Sequence, residues 1–393
     1  MIKVLAITNL FPSSLRPTFA PFNKEQFISL ARITEMRAIV PVPWVLAVKS
    51  RLKGERPLPP AECRGSIEVF YPTYFYTPKV LRSLYGSFYY HSIRTLFDRL
   101  VSASRPDVVY ATWAYPDCYA AAAAAKRWNI PVVARFHGSD VNEYLEYPSR
   151  RRRVIEVVDN SDAVVVVSKA MRDRLIAAVA DETKIHVVYN GIDRSLFMPS
   201  DKGGARGELG LDRDKRIILF AGNLKPVKGL DGLIRAVSRL DIEDVELHLL
   251  GSGPLDSELR STAAGSGAAD RIFFHGAVSH DMIPRWISAS DLVVLPSISE
   301  GTPNIILEAL ACSRPVVASR VGGVPEIVSS SSGILFPPGD DGALRSALRK
   351  ALEREWNEDA IECPASSWEE NAEALLRIFK GVSNRNARND NDE

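Results

Sequence analysis

Apolar residues fall in short unbroken runs separated by stretches of helical period, and this alternation runs twice along the chain. Runs at 4–8, 38–42, 108–113, 132–137, 163–168 and 185–189 have the length and density of parallel strands buried on both faces. Between them, 24–32, 81–102, 119–129 and 169–179 carry helical spacing. A second series begins at Arg216, with strands predicted at 217–221, 246–250, 271–275, 292–296 and 316–319 and a helix at 230–240. The pattern predicts two doubly wound α/β domains. Their boundary falls near 190–193, and the polar stretch 199–214 is expected to link them. Farther on, 368–379 is amphipathic, with Ala372, Leu375, Leu376 and Phe379 on one face. The polar, low-complexity stretch 383–393 reads as disordered.

Ligands of open α/β sheets bind beyond the carboxyl ends of the strands. The loops to inspect therefore follow Thr8, His137, Ala221, Leu250, His275 and Pro296. The richest is 299–319, where Glu300 and Glu308 flank the turn Gly301-Thr302-Pro303-Asn304 and the start of a predicted helix. Thr302 suits an N-cap and Pro303 the first helical position. A helix start favours an anion, and a carboxylate can accept two hydrogen bonds from vicinal hydroxyls. Together they suit a ligand carrying both phosphate and hydroxyls, such as a sugar nucleotide. The plainer reading is two unrelated surface glutamates.

The other loops add single features. Asn223 and Lys228 lie between a strand and the helix at 230–240, where a lysine can neutralise a diphosphate; two ordinary surface lysines, Lys225 and Lys228, are the alternative. Gly251 and Gly253 form a small-residue turn after a strand, common in many proteins. His137 precedes Gly138, Ser139 and Asp140 at another strand end, open to either a structural or a catalytic role. The opening loop, from Thr8 through Ala20 to Phe22, is either a ligand loop or a connection packed by Phe11, Phe19 and Phe22.

Composition narrows the class. The 393 residues are ordinary for globular domains, and the net charge of +1 hides an asymmetry. Residues 1–195 hold 27 Lys and Arg against 18 Asp and Glu, and the remainder 22 against 30. A basic half next to an acidic one predicts an anionic partner for the former. The four cysteines lack disulfide or metal spacing, which fits a reducing cytosol, and the six histidines form no metal motif. Asp212 and Asp214 offer a D-x-D pair, read here as solvated surface. The chain opens on a strand-like run with no cleavable apolar leader, and no apolar run approaches the ~20 residues of a membrane span. No G-x-G-x-x-G follows the first strand, which argues against a dinucleotide oxidoreductase, and no nucleic-acid-reading module is visible.

In order, Ser-Glu-Gly-Thr-Pro, Glu-Ala-Leu-Ala-Cys, Pro-Val-Val-Ala-Ser and Val-Gly-Gly-Val-Pro-Glu resemble the donor-binding signature of the retaining glycosyltransferases of family 4. The resemblance implies the α/β GT-B fold, two Rossmann-like doubly wound domains facing an interdomain cleft. It assigns 1–195 to the acceptor side and 196–366 to the nucleotide-sugar donor. A helix at 367–382 would cross back to the amino-terminal domain, before the tail. It implies that Lys228 grips the donor phosphates, with Asn223 standing where the family carries an arginine. The exchange removes a charge and a bidentate donor. Glu308 would hold the ribose hydroxyls. Glu300 and the N–H groups of Gly301, Thr302 and Asn304, with Pro303 shaping the turn, would hold the sugar. Gly251 and Gly253 would line the nucleotide pocket, and His137 with Asp140 would face the transferred sugar. Ala20 stands in the acceptor loop where relatives commonly have glycine. His137, Glu300 and Lys228 are thus the expected catalytic residues.

The implied reaction is metal-independent transfer of a hexose with retention, without cofactor. The donor would be a UDP- or GDP-sugar and the acceptor a glycan or lipid-linked saccharide, in cytoplasmic synthesis of cell-surface polysaccharide. A sugar-nucleotide epimerase and a non-catalytic sugar-nucleotide-binding subunit are the alternatives. The stretch 79–99 mixes Lys79, Arg82, Arg94 and Arg99 with apolar and aromatic residues, and 150–153 is four arginines. This is either a solvated face over a core or a contact with an anionic membrane surface.

Overall fold

The computed structural model describes residues 1–17, 19–78, 80–179 and 181–392, with side chains described as far as 386. The chain divides into two compact units, one of Met1–Gly191 with Trp368–Glu393 and one of Ile192–Ser367.

In the first unit the strands are β1 (Lys3–Ile7), β2 (Glu35–Ile39), β3 (Val42–Pro43), β4 (Ala61–Arg64), β5 (Ile67–Phe70), β6 (Thr73–Tyr74), β7 (Val108–Thr112), β8 (Val132–Arg135), β9 (Ala163–Val166) and β10 (Ile185–Val187). Eight form one sheet in the order β10-β9-β8-β7-β1-β2-β5-β4, parallel except for β4 on β5. Strand positions alternate between two cores: Leu5 and Ile7 face one, Val4 and Ala6 the other. Both faces are covered, so β7, β8 and β9 are buried at every residue. That double burial produces the unbroken apolar runs.

The helix Trp368–Asp392 belongs to this unit, although it lies far away in sequence. Ala372, Leu375, Phe379 and Val382 are buried on the sheet face that also receives helix Pro21–Ala31. The ring of Phe379 lies 5.2 Å from Tyr110, and Gln26 donates to Asn371 at 2.8 Å. Burial of a side chain of this size stabilises by roughly 1.5–3 kcal/mol each. The helix continues to Asp392, through the stretch that composition reads as disordered; the end of that stretch lies outside the described side chains.

The second unit holds β11 (Arg216–Ala221), β12 (Val245–Leu250), β13 (Ile272–Gly276), β14 (Leu292–Leu295), β15 (Val316–Ser319) and β16 (Gly333–Phe336). They form one parallel sheet in the order β13-β12-β11-β14-β15-β16. Every loop after one of these strands leaves the same edge of the sheet. The stretch expected to be a polar linker instead contains helix Lys202–Leu209. Asp201 caps it through Gly204 N–H, and Gly210 closes it in the left-handed region at φ 66°. Buried Arg206 secures it, donating to Ala289 O and pairing with Asp291 at 2.7 Å. Three glycines hide this helix from a periodicity reading.

Candidate functional site

In the second unit, β11 ends at Ala221 and the chain turns through Gly222 and Asn223 into a short 3-10 turn, Pro226–Lys228. Gly222 N–H donates to Leu250 O and Leu224 N–H to Ser252 O, so this turn is stitched to the loop after β12. The stitching leaves no room for side chains. A Cβ on Gly251 would sit 1.9 Å from Gly222 O, and one on Gly253 2.3 Å from Leu224 O. Gly251 also lies at φ 135°, where L side chains are strained. The glycines are thus required by the backbone, whatever lies beyond it.

Ile298 N–H donates to Val227 O, which brings the loop after β14 against the 3-10 turn. There Lys228 Nζ meets Glu300 Oε1 at 2.6 Å, with side-chain exposures of 20% and 11%. Gly301 O accepts from Gly323 N–H, and Gly322, at φ 50°, passes so close to Glu300 that a Cβ would lie 2.0 Å from its carbonyl oxygen. The glycine pair after β15 therefore supports the Glu300 turn from below.

The helix is Asn304–Ala311, one residue later than predicted. Pro303, at φ −76° and ψ 120°, is the N-cap and makes no side-chain cap hydrogen bond. Thr302 is therefore not the N-cap and Pro303 is not the first helical residue. The proline ring fixes φ but leaves ψ free to stay extended, which delays the helix. Thr302 is buried in the turn. Glu308, one turn along, meets His280 Nε2 at 3.1 Å through Oε1, and His280 lies against the Phe197 ring at 5.3 Å. His280 escaped the sequence reading because it lies 28 residues from Glu308 on a 3-10 turn with no motif of its own.

In the first unit, His137 follows β8. Asp140 folds back under it, accepting from the N–H groups of His137 at 2.9 Å, Gly138 at 2.8 Å and Ala114 at 3.1 Å. Both oxygens are thereby engaged, and Asp140 reaches a ligand only through the turn it holds. Burial pushes its carboxyl up to about 6, against the pull of these N–H groups. Burial, then the Arg135 charge, hold the His137 imidazole well below its ordinary range, so it is neutral at pH 7. Its Nε2 is buried without a hydrogen-bond partner among the described residues, and Phe22 lies against the ring at 5.0 Å. Phe22 opens helix Pro21–Ala31, whose N-cap is Ala20 in the left-handed region at φ 49° and ψ 55°. A glycine would adopt that conformation without strain.

The first unit thus gathers Ala20, His137 and Asp140; the second gathers Asn223, Lys228, Gly251, Gly253, Glu300, the 301–304 turn and Glu308. Asp212 Oδ1 accepts from Asp214 N–H in a local turn. Among the described residues no group of three or more His, Cys, Asp or Glu is placed to hold a metal. Of the basic aromatic stretch, Tyr89 and Phe97 are buried core, whereas Leu81 and Leu84 are exposed. Lys79 of that stretch and Thr18 of the opening loop lie outside the described residues. No described helix is long and apolar enough to cross a membrane.

Comparison with known proteins agrees with this architecture. Residues 215–354 match the family profile Glycosyl transferases group 1, and 51–196 match Glycosyltransferase Family 4. D-inositol 3-phosphate glycosyltransferase of Xylanimonas cellulosilytica is 33% identical over 67% of this chain and 69% of its own length. The protein of that name from Mycobacteroides abscessus is 33% identical over 65% of this chain, which spans 62% of its length. The putative teichuronic acid biosynthesis glycosyltransferase TuaC of Bacillus subtilis is 29% identical over 97% of this chain and 99% of its own. Among solved structures, Anabaena HepE in complex with UDP-glucose superposes with a TM-score of 0.70 at 21% identity, over the whole of both chains. The fold is that of the GT-B glycosyltransferases. The chain belongs to glycosyltransferase family 4, within the group 1 glycosyl transferases.

Proposed function

We propose that this protein is a retaining glycosyltransferase that moves a hexose from a nucleotide-diphosphate sugar to a glycan or lipid-linked acceptor, in the assembly of cell-surface polysaccharide. The observation that carries the reading is the Lys228–Glu300 pair beside the start of helix Asn304–Ala311, with Glu308 one turn along. One cation and two carboxylates around a helix start match a diphosphate flanked by two sets of hydroxyls. HepE, of the same fold, was solved with UDP-glucose, and TuaC is named for teichuronic acid biosynthesis.

In this reading Lys228 stabilises the charge that develops on the departing diphosphate. Glu300 holds Lys228 in the free protein and exchanges it for sugar hydroxyls when donor arrives. Glu308 takes the ribose. Neutral His137 donates or accepts a hydrogen bond at the sugar and carries no charge. The acceptor proton leaves with the diphosphate, so no metal or covalent intermediate is required.

A thermal-shift panel of UDP-, GDP-, ADP- and dTDP-sugars tests the donor. Ligand at a hundred times its Kd stabilises by ~2.7 kcal/mol. Transfer by wild type and not by Glu300→Ala, with the product anomer assigned by NMR, then tests catalysis and retention. Binding without transfer would favour the non-catalytic subunit, a reading that Asn223 in place of arginine keeps in view. Altered donor without acceptor would favour the epimerase. We also propose that the basic first unit meets an anionic membrane through exposed Leu81, Leu84 and Tyr147 and the arginines at 150–152. Absence of binding to anionic vesicles at low salt would overturn this.

A further inference from the structure

Asp117 lies in the turn Ala114–Cys118 that follows β7, and it is fully buried. The turn is entered through Trp113 at φ 84°, a strained conformation for a bulky residue. Asp117 Oδ1 accepts from Asn9 N–H at 2.5 Å and from Tyr89 O–H at 2.8 Å. Its Oδ2 is buried without a hydrogen-bond partner among the described residues. Asn9 opens the loop after β1, which is otherwise fastened by Leu10 N–H on Thr8 Oγ1 and by Asn23 Nδ2 on Leu10 O. The same 114–118 turn is held from its other side, because Ala114 N–H donates to Asp140, which also holds His137 and Gly138. Two buried carboxylates therefore join three strand-end loops in series.

We propose that Asp117 is a positioning residue, whose carboxylate ties the loop after β1 to the turn after β7 and, through Asp140, to the turn that carries His137. The consequence for transfer rests on the glycosyltransferase reading, in which the loop after β1 borders the acceptor. A carboxyl with no cationic partner is an expensive way to fill a core position, and an apolar residue would fill it at less cost. The position instead supplies charge-assisted acceptance of a main-chain N–H at a loop root.

The groups that face Asp117 are Tyr74 from β6, Tyr89 from helix Tyr85–Ala103, Asp140 and Tyr144 from beyond β8, and Cys118 beside it. No ion pair to Asp117 occurs among the described residues. Burial outweighs its hydrogen bonds and pushes its carboxyl up to about 7. The Asn9 N–H favours the ionised form, so by linkage ionisation tightens this bond. The clamp therefore tightens as pH rises through about 7.

Amide exchange at Asn9 and Leu10 in the intact protein tests the clamp directly, each rate divided by its intrinsic value at pH 6 and pH 8. Asp117→Ala should exchange at least tenfold faster than wild type at pH 8. Asp117→Asn, which keeps the shape, should match wild type at pH 6 but gain no protection at pH 8. A wild-type rate in Asp117→Ala, or an Asp117→Asn profile parallel to wild type across pH, would overturn the proposal. If the alanine variant does not fold, the asparagine profile alone decides. With a donor and acceptor in hand, Asp117→Asn should raise the acceptor KM at pH 8 while the donor KM stays within twofold. An equal rise in both would overturn the role at the acceptor. If wild type transfers no sugar at all, the transferase reading fails, while the exchange rates still decide the clamp.

Discussion

Removing the Lys228–Glu300 pair gives the sharpest test of the donor-side geometry. Exposed ion pairs couple by ~0.2–1 kcal/mol, whereas stripping one partner from a fully buried pair costs about 3–5 kcal/mol. With an N–O distance of 2.6 Å and side chains 20% and 11% exposed, this pair lies nearer the buried limit. A coupling of about 1.5–3 kcal/mol is expected. The variants are Lys228→Met, which keeps the aliphatic stem, Glu300→Gln, which keeps the shape, and the two together. Urea unfolding followed by circular dichroism and tryptophan fluorescence yields the cycle, and the double variant should recover part of the loss from the singles. Nucleotide binding supplies an independent arm. Glu300→Gln releases Lys228 from its internal anion, so free UDP or GDP should bind more tightly than to wild type, while the corresponding sugar nucleotide gains less. A coupling below about 0.5 kcal/mol, or weaker nucleotide binding in Glu300→Gln, would refute the exchange of Lys228 between carboxylate and diphosphate.

Other positions give separate outcomes. Ala20→Gly should raise stability by up to about 1 kcal/mol, because left-handed strain of ~1–2 kcal/mol is relieved against a smaller gain in unfolded-state freedom; calorimetry showing a loss would contradict the φ of 49°. Gly251→Ala should destabilise the fold by roughly 3 kcal/mol or more, since its Cβ would lie 1.9 Å from a carbonyl oxygen. A variant of wild-type stability that fails only in nucleotide binding would refute that account. His275 stacks on His248, with rings 5.2 Å apart, and burial followed by the His248 charge lowers its pKa to about 4. The folded state thus takes up fewer protons than the unfolded one, so stability is full above pH ~6.5 and declines as pH falls toward 4. Unfolding midpoints across this window should fall less steeply in His275→Gln, and identical slopes would remove His275 as the cause.

Much of the architecture could be read from the chain because doubly covered parallel strands leave continuous apolar runs, and β7 to β9, β11, β14 and β15 carry them. The strands β4 to β6 could not be read in this way. They are two to four residues long and partly exposed, and β4 and β5 meet at a turn through Gly65. Of the candidate site, Glu300, Glu308 and Lys228 stood out through local motifs. Their partners did not: His280 comes from a separate turn, and the role of Asp117 depends on Asn9, 108 residues away. For Asp140 the motif identified the place, and only the geometry revealed that its oxygens face the backbone.

The helix Trp368–Asp392 also has a consequence for biogenesis. A ribosome delivers the chain from the amino terminus, so the second unit has all its strands before the first has Phe379. Until then the sheet face around Tyr110 and Val133 has helix Pro21–Ala31 but lacks the rest of its cover, and newly made chains pass through an interval with an apolar surface open to chaperones. Cutting the gene at residue 191 would make that interval permanent, whereas a fusion that rejoins 1–191 to 368–392 through a short linker would end it.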